Sequence, residues 1–368
     1  MKSLFVKFFL SLRNLSLLNL IIVSRVFAFQ DASEEAVRAW YVQGNPFYPT
    51  ESINIPSTVN TGHPEGLAVF NNDYYLSLMD EDKTSSKIEC KQSRILHFKK
   101  FDSSLVLKDE KIISTNERNE CHLGGLVWGA NYNELWTALA QFKASSSSTM
   151  LAINPNDLSI KKELKIMDHI GSQIYTRDAL YAFSWDSRKL YKADLCEHDL
   201  SKCKVSKISE SKARSSAYQD CKTLISDGRP ITAFCSGLDF EPWSWNVIGF
   251  LRWDLWWKNQ KSWEWPLKLE RTGYLDWIEI DSKGTHLLGR FNSPKVDGVF
   301  LSRNPMAIWE ERKDHKFNLN FAFVPDDHPR SKLLIYESGW LEFAPVKESS
   351  GMILRNLSGD VDKINSDN

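Results

Sequence analysis

The chain reads as an all-β protein, a six-bladed β-propeller closed by an N-terminal strand, on three observations. First, short strands separated by Asn-, Asp- and Gly-rich turns succeed one another from about residue 66 to residue 345. Second, three stretches resemble one another: His63-Pro64-Glu65-Gly66-Leu67-Ala68-Val69-Phe70, His122-Leu123-Gly124-Gly125-Leu126-Val127-Trp128 and Asp168-His169-Ile170-Gly171-Ser172-Gln173-Ile174-Tyr175. Their spacing, about 45–60 residues, is that of propeller blades. Third, the last unit shows three clear strands, and 53–58 can supply a fourth from the other end of the chain. The rival architecture is a β-sandwich with a helical appendage.

Each segment has its own warrant. Residues 1–28 read as a signal peptide: Lys2 and Lys7 are followed by the apolar run 15–23 and by the small-residue site Val26-Phe27-Ala28. Arg13, Arg25 and the apolar stretch 5–12 leave an uncleaved anchor as the other reading. Residues 29–59 hold a short amphipathic helix and the closing strand; 60–347 hold the propeller; the polar tail 348–368 is expected to be disordered. Within the propeller, strands are expected at 66–70, 74–79, 94–101 and 105–113, then at 125–128, 134–140, 149–153 and 160–166. A third unit spans 173–208 and a fourth 218–254. A fifth opens at Gly273, and the sixth covers 318–345.

Charge and cysteines narrow the setting. The formal net charge is −1, and loss of Lys2, Lys7, Arg13 and Arg25 with the leader would make it −5. So mild an acidity gives no general pull on nucleic acid or anionic lipid. No membrane association is expected beyond the leader, and the expected location is periplasmic or secreted. Six cysteines are an even set for an oxidising compartment: Cys90, Cys121, Cys196, Cys203, Cys221 and Cys235. Pairing nearest neighbours closes the shortest loops, giving Cys90–Cys121, Cys196–Cys203 and Cys221–Cys235. A zinc–thiolate cluster is disfavoured because no gap is C-x-x-C.

The candidate site follows from the repeat. In a propeller the innermost strand of each blade starts beside the central axis, so His63, His122, His169 and Asp220 should face one mouth, with Glu65 close by. Such a group can bind a divalent metal through His63, His122 and His169, bind an anion, or act as general acid and base. With a metal, Glu65 would be the base and Asp220 a ligand or orienting group. Each histidine can instead hydrogen-bond to the neighbouring blade and be purely structural. Asp80, Glu81 and Asp82 form either a calcium loop or a solvated acidic loop. Asp186 and Arg188 are expected to pair with each other or with backbone. Eight of the fourteen tryptophans fall between 243 and 277. Trp256 and Trp257, with Lys258, offer a platform for a sugar or a protein partner, and packing between blades is the alternative. G-x-S-x-G, Walker, dinucleotide and H-E-x-x-H signatures are absent.

The three openings, together with Ser184-Trp185-Asp186-Ser187-Arg188, Tyr218-Gln219-Asp220-Cys221 and Cys235-Ser236-Gly237-Leu238, resemble an uncharacterised family of secreted bacterial and fungal proteins over roughly residues 60–345. The resemblance implies export and a six-bladed propeller, and no established reaction. That family carries Gly where Glu65 and Asp186 stand. The architecture is also similar to that of gluconolactonases and paraoxonases, whose acidic and amide metal ligands have no match in His63, His122 and His169. Two functions are therefore expected as alternatives. One is a metal-assisted hydrolase or lyase acting on a small ester or lactone. The other is a non-catalytic propeller that holds a small molecule or a protein partner.

Overall fold

In the computed structural model, residues 30–343 are described apart from 57–62, 83–88, 116–119, 130–132, 142–145, 177, 196–202, 211–215, 227–229, 240–271, 294, 297–298, 304 and 326–331. The expected signal peptide, Cys196, the tryptophans from Trp243 to Trp265 and the tail 348–368 thus lie outside the described residues.

The fold is an all-β propeller of five blades, not six. Blade I is β3 (His63–Phe70), β4 (Asp73–Asp82), β5 (Glu89–Phe101) and β6 (Ser104–Thr115). Blade II is β7 (His122–Gly129), β8 (Glu134–Ala140), β9 (Ser148–Ile153) and β10 (Ile160–Ile166). Blade III is β11 (Ile170–Tyr175), β12 (Ala179–Ser184), β13 (Lys189–Asp194) and β14 (Val205–Glu210). Blade IV is β15 (Ser216–Thr223), β16 (Ile231–Asp239), β17 (Thr272–Asp281) and β18 (Gly284–Asn292). A small ribbon of β19 (Lys295–Val296) and β20 (Val299–Phe300) leads to blade V, built on β21 (Met306–Lys313), β22 (Lys316–Phe323) and β23 (Lys332–Glu337), with β24 (Leu341–Glu342) on β22.

The miscount has a definite cause. β16 pairs with β17 along its whole length, from Ile231↔Ile280 to Asp239↔Thr272. The tryptophan-rich segment is therefore an insertion between neighbouring strands of one sheet, and the expected fourth and fifth blades are a single blade.

Closure by one N-terminal strand is also replaced by something more composite. β1 (Gln30–Asp31) pairs with β21 at one edge of blade V, and β2 (Tyr48–Asn54) pairs with β23 at the other. Between them, helix α1 (Glu34–Val42) fills the seam between blades IV and V. Ser33 caps it, accepting from Ala36 N (3.1 Å), while its own N–H and hydroxyl donate to Glu310 Oε2 at 2.9 and 2.6 Å. Glu34 N donates to Ile225 O (2.8 Å) in blade IV. Ala36, Val37 and Trp40 form the buried face of the helix. The Trp40 ring lies 4.5 Å from Phe291 and 6.2 Å from Phe234 in blade IV, and 5.1 Å from Phe321 in blade V. The other four seams are filled the same way by interdigitated apolar side chains, so the core is a ring of wedges between sheets.

The repeated sequence openings correspond to a repeated β-bulge. The ladder between first and second strands slips at Pro64/Gly66 in blade I, Leu123/Leu126 in blade II, Ile170/Ser172 in blade III and Tyr218/Asp220 in blade IV. A bulge bends the strand and re-aims its side chains. Here it brings the inner strands into backbone contact at the axis. A Cβ on Gly66 would stand 2.6 Å from the Gly125 carbonyl carbon, and one on Gly124 would stand 2.7 Å from Gly171 O. Hydroxyls on the second strands satisfy the displaced carbonyls: Ser77 Oγ donates to Gly66 O (3.4 Å), Thr137 Oγ1 to Gly124 O (3.2 Å) and Ser236 Oγ to Asp220 O (3.3 Å).

Because Trp40 bridges two sheets, Trp40→Ala should cost about 3–5 kcal/mol of folding stability. Chemical denaturation monitored by circular dichroism measures this; a loss below about 1 kcal/mol would mean that the helix does not hold the seam.

Candidate functional site

Counting from the bulge gives the register of the mouth. His63, His122 and His169 each stand two residues before the bulge residue of their blade, and Ala217 holds that position in blade IV. Glu65 is itself the bulge residue of blade I, where blades II and III have glycine and blade IV has Gln219. The extra residue is what lets this carboxylate turn toward the histidines.

The side chains do meet. Glu65 Oε1 lies 3.2 Å from His63 Nε2 and 3.0 Å from His122 Nε2. The His122 and His169 rings are 5.3 Å apart and edge-on, and the His169 ring lies 6.0 Å from the half-buried Trp185. Glu65, His122 and His169 are 1%, 5% and 2% exposed, whereas His63 is half-buried at the outer side. His169 is held by its backbone: its N–H donates to Asp168 Oδ1 (2.9 Å), and its carbonyl accepts from Trp185 N (2.8 Å).

Two covalent and polar frames fix the cluster. The disulfide Cys90–Cys121 ties β5 to the residue before His122, and Cys121 N donates to Ala140 O (2.9 Å). Asp168 Oδ2 accepts from Lys189 Nζ (2.9 Å) and Tyr191 OH (2.7 Å) beside His169. Burial and the Asp168 carboxylate push the Tyr191 phenol well above its usual range, which keeps it a donor. The second disulfide, Cys221–Cys235, joins paired residues of β15 and β16. Cys203 is half-buried, and its expected partner Cys196 lies outside the described residues.

The carboxylate oxygen of Glu65 sits against the Nε2 atoms of both His63 and His122. Among the described residues no group of three or more His, Cys, Asp or Glu side chains is placed to hold a metal ion. In the acidic run of blade I, Asp80 has partners of its own. Asp80 binds Arg94 Nη2 (2.7 Å) and Gln92 Nε2 (2.7 Å), and Arg94 also reaches Glu110 (2.5 Å). Asp186 accepts from Ser184 Oγ (2.7 Å) and Arg188 N (3.2 Å) and pairs with the Arg188 guanidinium, so these residues build a turn.

Asp220 is not part of the mouth. It follows its bulge by one residue, level with Gly66 and Ser172, three positions further along its strand than the histidines. The bulge aligns Asp220 with Gly66 rather than with His63. It lies on the axis instead, where Oδ2 accepts from Leu67 N (3.1 Å) of blade I and Met306 N (3.2 Å) of blade V. Oδ1 accepts from Lys222 Nζ (2.5 Å), which also donates to Leu126 O (2.5 Å) of blade II. Burial raises the Asp220 carboxyl to about 6, against the pull of Lys222 and the two N–H groups. Burial lowers the Lys222 ammonium, opposed by Asp220. Lys222 was not anticipated from sequence; its spacing from Asp220 on one strand face was the available signal.

The architecture and this mouth define a β-propeller with an imidazole–carboxylate cluster at the entry of its first three blades. The sequence profile of a family of unknown function (DUF6454) matches residues 47–260, more than half of the chain, and the chain belongs to that family. No curated protein matches it. Among solved structures it is similar to a luciferin-regenerating enzyme (10% identity, TM-score 0.40, covering 81% of this chain and 99% of that one). It is also similar to a hypothetical protein from Leishmania major (11% identity, TM-score 0.40, covering 85% and 96%). A third is the catalytic domain of the Coprinopsis cinerea GH62 α-L-arabinofuranosidase (6% identity, TM-score 0.39, covering 80% and 98%).

Removing the axial counter-charge should give a pH-dependent penalty. Lys222→Met leaves a buried carboxylate unpaired and should cost about 3–5 kcal/mol near neutrality. With a native pKa raised above 3.8, the stability contributed by Asp220 is full below that value and is lost as pH rises through about 6. Without the pull of Lys222 the folded pKa rises further, so in the variant that loss extends to higher pH and is deeper, and the penalty should shrink on acidification. Denaturation curves at about pH 5 and about pH 8 test this, and an equal penalty at both would contradict it.

Proposed function

We propose that this protein is an exported hydrolase that opens a small ester or lactone by acid–base chemistry at the His63–Glu65–His122–His169 mouth. The observation that carries the reading is a carboxylate, 1% exposed, held 3.2 and 3.0 Å from two imidazoles with a third beside them. Ester cleavage needs a proton removed from the attacking oxygen and one delivered to the leaving oxygen. His122, against Glu65, is suited to hold the proton that is delivered. His169, one ring further on, is suited to accept the other. Trp185 supplies an apolar wall for the body of the substrate. Export is supported by the two disulfides, which belong to an oxidising compartment, and by the expected leader.

The reading is tested on the purified chain with a panel of aryl esters and sugar-derived lactones. Glu65→Gln and His122→Asn should each lower kcat/KM by about 10²–10⁴-fold, while melting temperature stays within a few degrees. Chelation should leave turnover intact. Turnover abolished by chelation and restored by one equivalent of metal would reassign the cluster to metal-assisted hydrolysis, with His63, His122 and His169 as ligands.

A second reading is a non-catalytic propeller that grips a small ligand, favoured by the near-complete burial of His122 and His169. It expects thermal stabilisation by a ligand without turnover, lost in His63→Ala. A protein partner at the tryptophan-rich insertion belongs to this reading too, and would be lost on replacing Trp256 and Trp257.

A further inference from the structure

The loop that enters β9 places Ser146, 7% exposed, against the histidine cluster. Its hydroxyl lies 3.4 Å from His169 Nδ1 and 3.3 Å from the Gln141 carbonyl oxygen. The loop is anchored on the same blade boundary, because Ser148 Oγ accepts from Ile170 N (2.8 Å), the residue after His169. Ser146 turns its hydroxyl to an imidazole, while Ser148 serves the backbone of β11.

A nucleophile is recognised by a hydroxyl within reach of a base that is itself held by a third group, and the contact is often long before substrate binds. His169 meets the second condition. Its backbone is fixed at both N–H and carbonyl, and its ring is bracketed by Trp185 and His122, with Glu65 behind His122. Ser146 thus lies on one side of the edge-on His169 and His122 rings and the Glu65 carboxylate on the other.

We propose that Ser146 is the catalytic nucleophile of this site and that hydrolysis passes through an acyl-serine. This rests on the hydrolase reading above. Ser146 Oγ bonds to the acyl carbon while its proton passes to His169 Nδ1. The carbon–oxygen bond to the alcohol portion then breaks, and the departing oxygen takes the proton held on His122. In a lactone that alcohol stays tethered to the acyl group. Water next attacks the acyl carbon, giving a proton to His122, and Ser146 Oγ leaves and recovers its proton from His169. The substrate class is thus an activated or strained acyl ester, and no oxidant or further co-reactant is consumed.

The test uses the full mature chain, an aryl fluorophosphonate and a p-nitrophenyl ester. One phosphonyl group per chain is expected, mapped to Ser146 by peptide mass, with loss of fluoride. Labelling should vanish in Ser146→Ala and slow strongly in His169→Gln, and ester turnover in Ser146→Ala should fall by about 10³-fold or more. Ser146→Cys should recover a thiol-reactive acyl intermediate. If Ser146→Ala turns over at the wild-type rate while Glu65→Gln does not, water attacks directly; the acyl-serine is then wrong and the acid–base reading stands. If the wild-type chain neither turns over nor labels, both fall.

Discussion

The ion pair on the axis is the constraint from which the rest of the architecture follows. Asp220 and Lys222 sit on one face of β15 and reach backbone groups of β3, β7 and β21. A buried carboxylate and ammonium are costly to desolvate, and they persist only where geometry and added hydrogen bonds compensate. Three neighbouring blades supply those bonds here. The pair therefore sets how closely the inner strands approach, and that spacing explains Gly66, Gly124 and Gly125 beside it.

The mouth inherits its geometry from the same device. Each bulge rotates the strand start so that the residue two positions earlier faces its neighbour across the axis. Three blades place an imidazole there, and blade I adds a carboxylate at the bulge itself. Blade IV presents Ala217 and blade V begins with Met306, so among the described residues the polar cluster covers one arc of the mouth. The Cys90–Cys121 bridge stiffens that arc where blades I and II meet. Acid–base chemistry gains from such stiffness, because donors held in place need no reorganisation as charge develops.

Much of this was legible in the sequence. The openings with His and a Gly two or three residues on are the visible trace of a repeated bulge, and alternating apolar residues placed most strands. The three histidines share one repeated structural position, which is why they recur in the sequence, whereas Glu65 is particular to blade I. Blade number was not legible, since an aromatic-rich insertion between two paired strands has the same composition as a pair of strands. Asp220 was misassigned because a one-residue bulge shifts equivalences that a motif search aligns on residue type. Ser146 left no signal, because a serine run reads as a polar loop until its tertiary neighbour is known. Nor does the seam helix announce its role: nine residues with an apolar stripe say that a face is buried, not that two sheets share it.

That seam has a consequence for how the chain comes to be folded. Ser33 and Glu310 are 277 residues apart, and β1 finds its partner only in β21. During vectorial emergence from the ribosome or a translocon, the leading segment must wait, with Trp40 uncovered, until nearly the whole polypeptide has arrived. Long-range pairing of this kind slows folding and prolongs exposure of sticky edges. The waiting segment is thus a natural client for a holding chaperone, and an appended purification handle just ahead of Gln30 would crowd the last joint to be made.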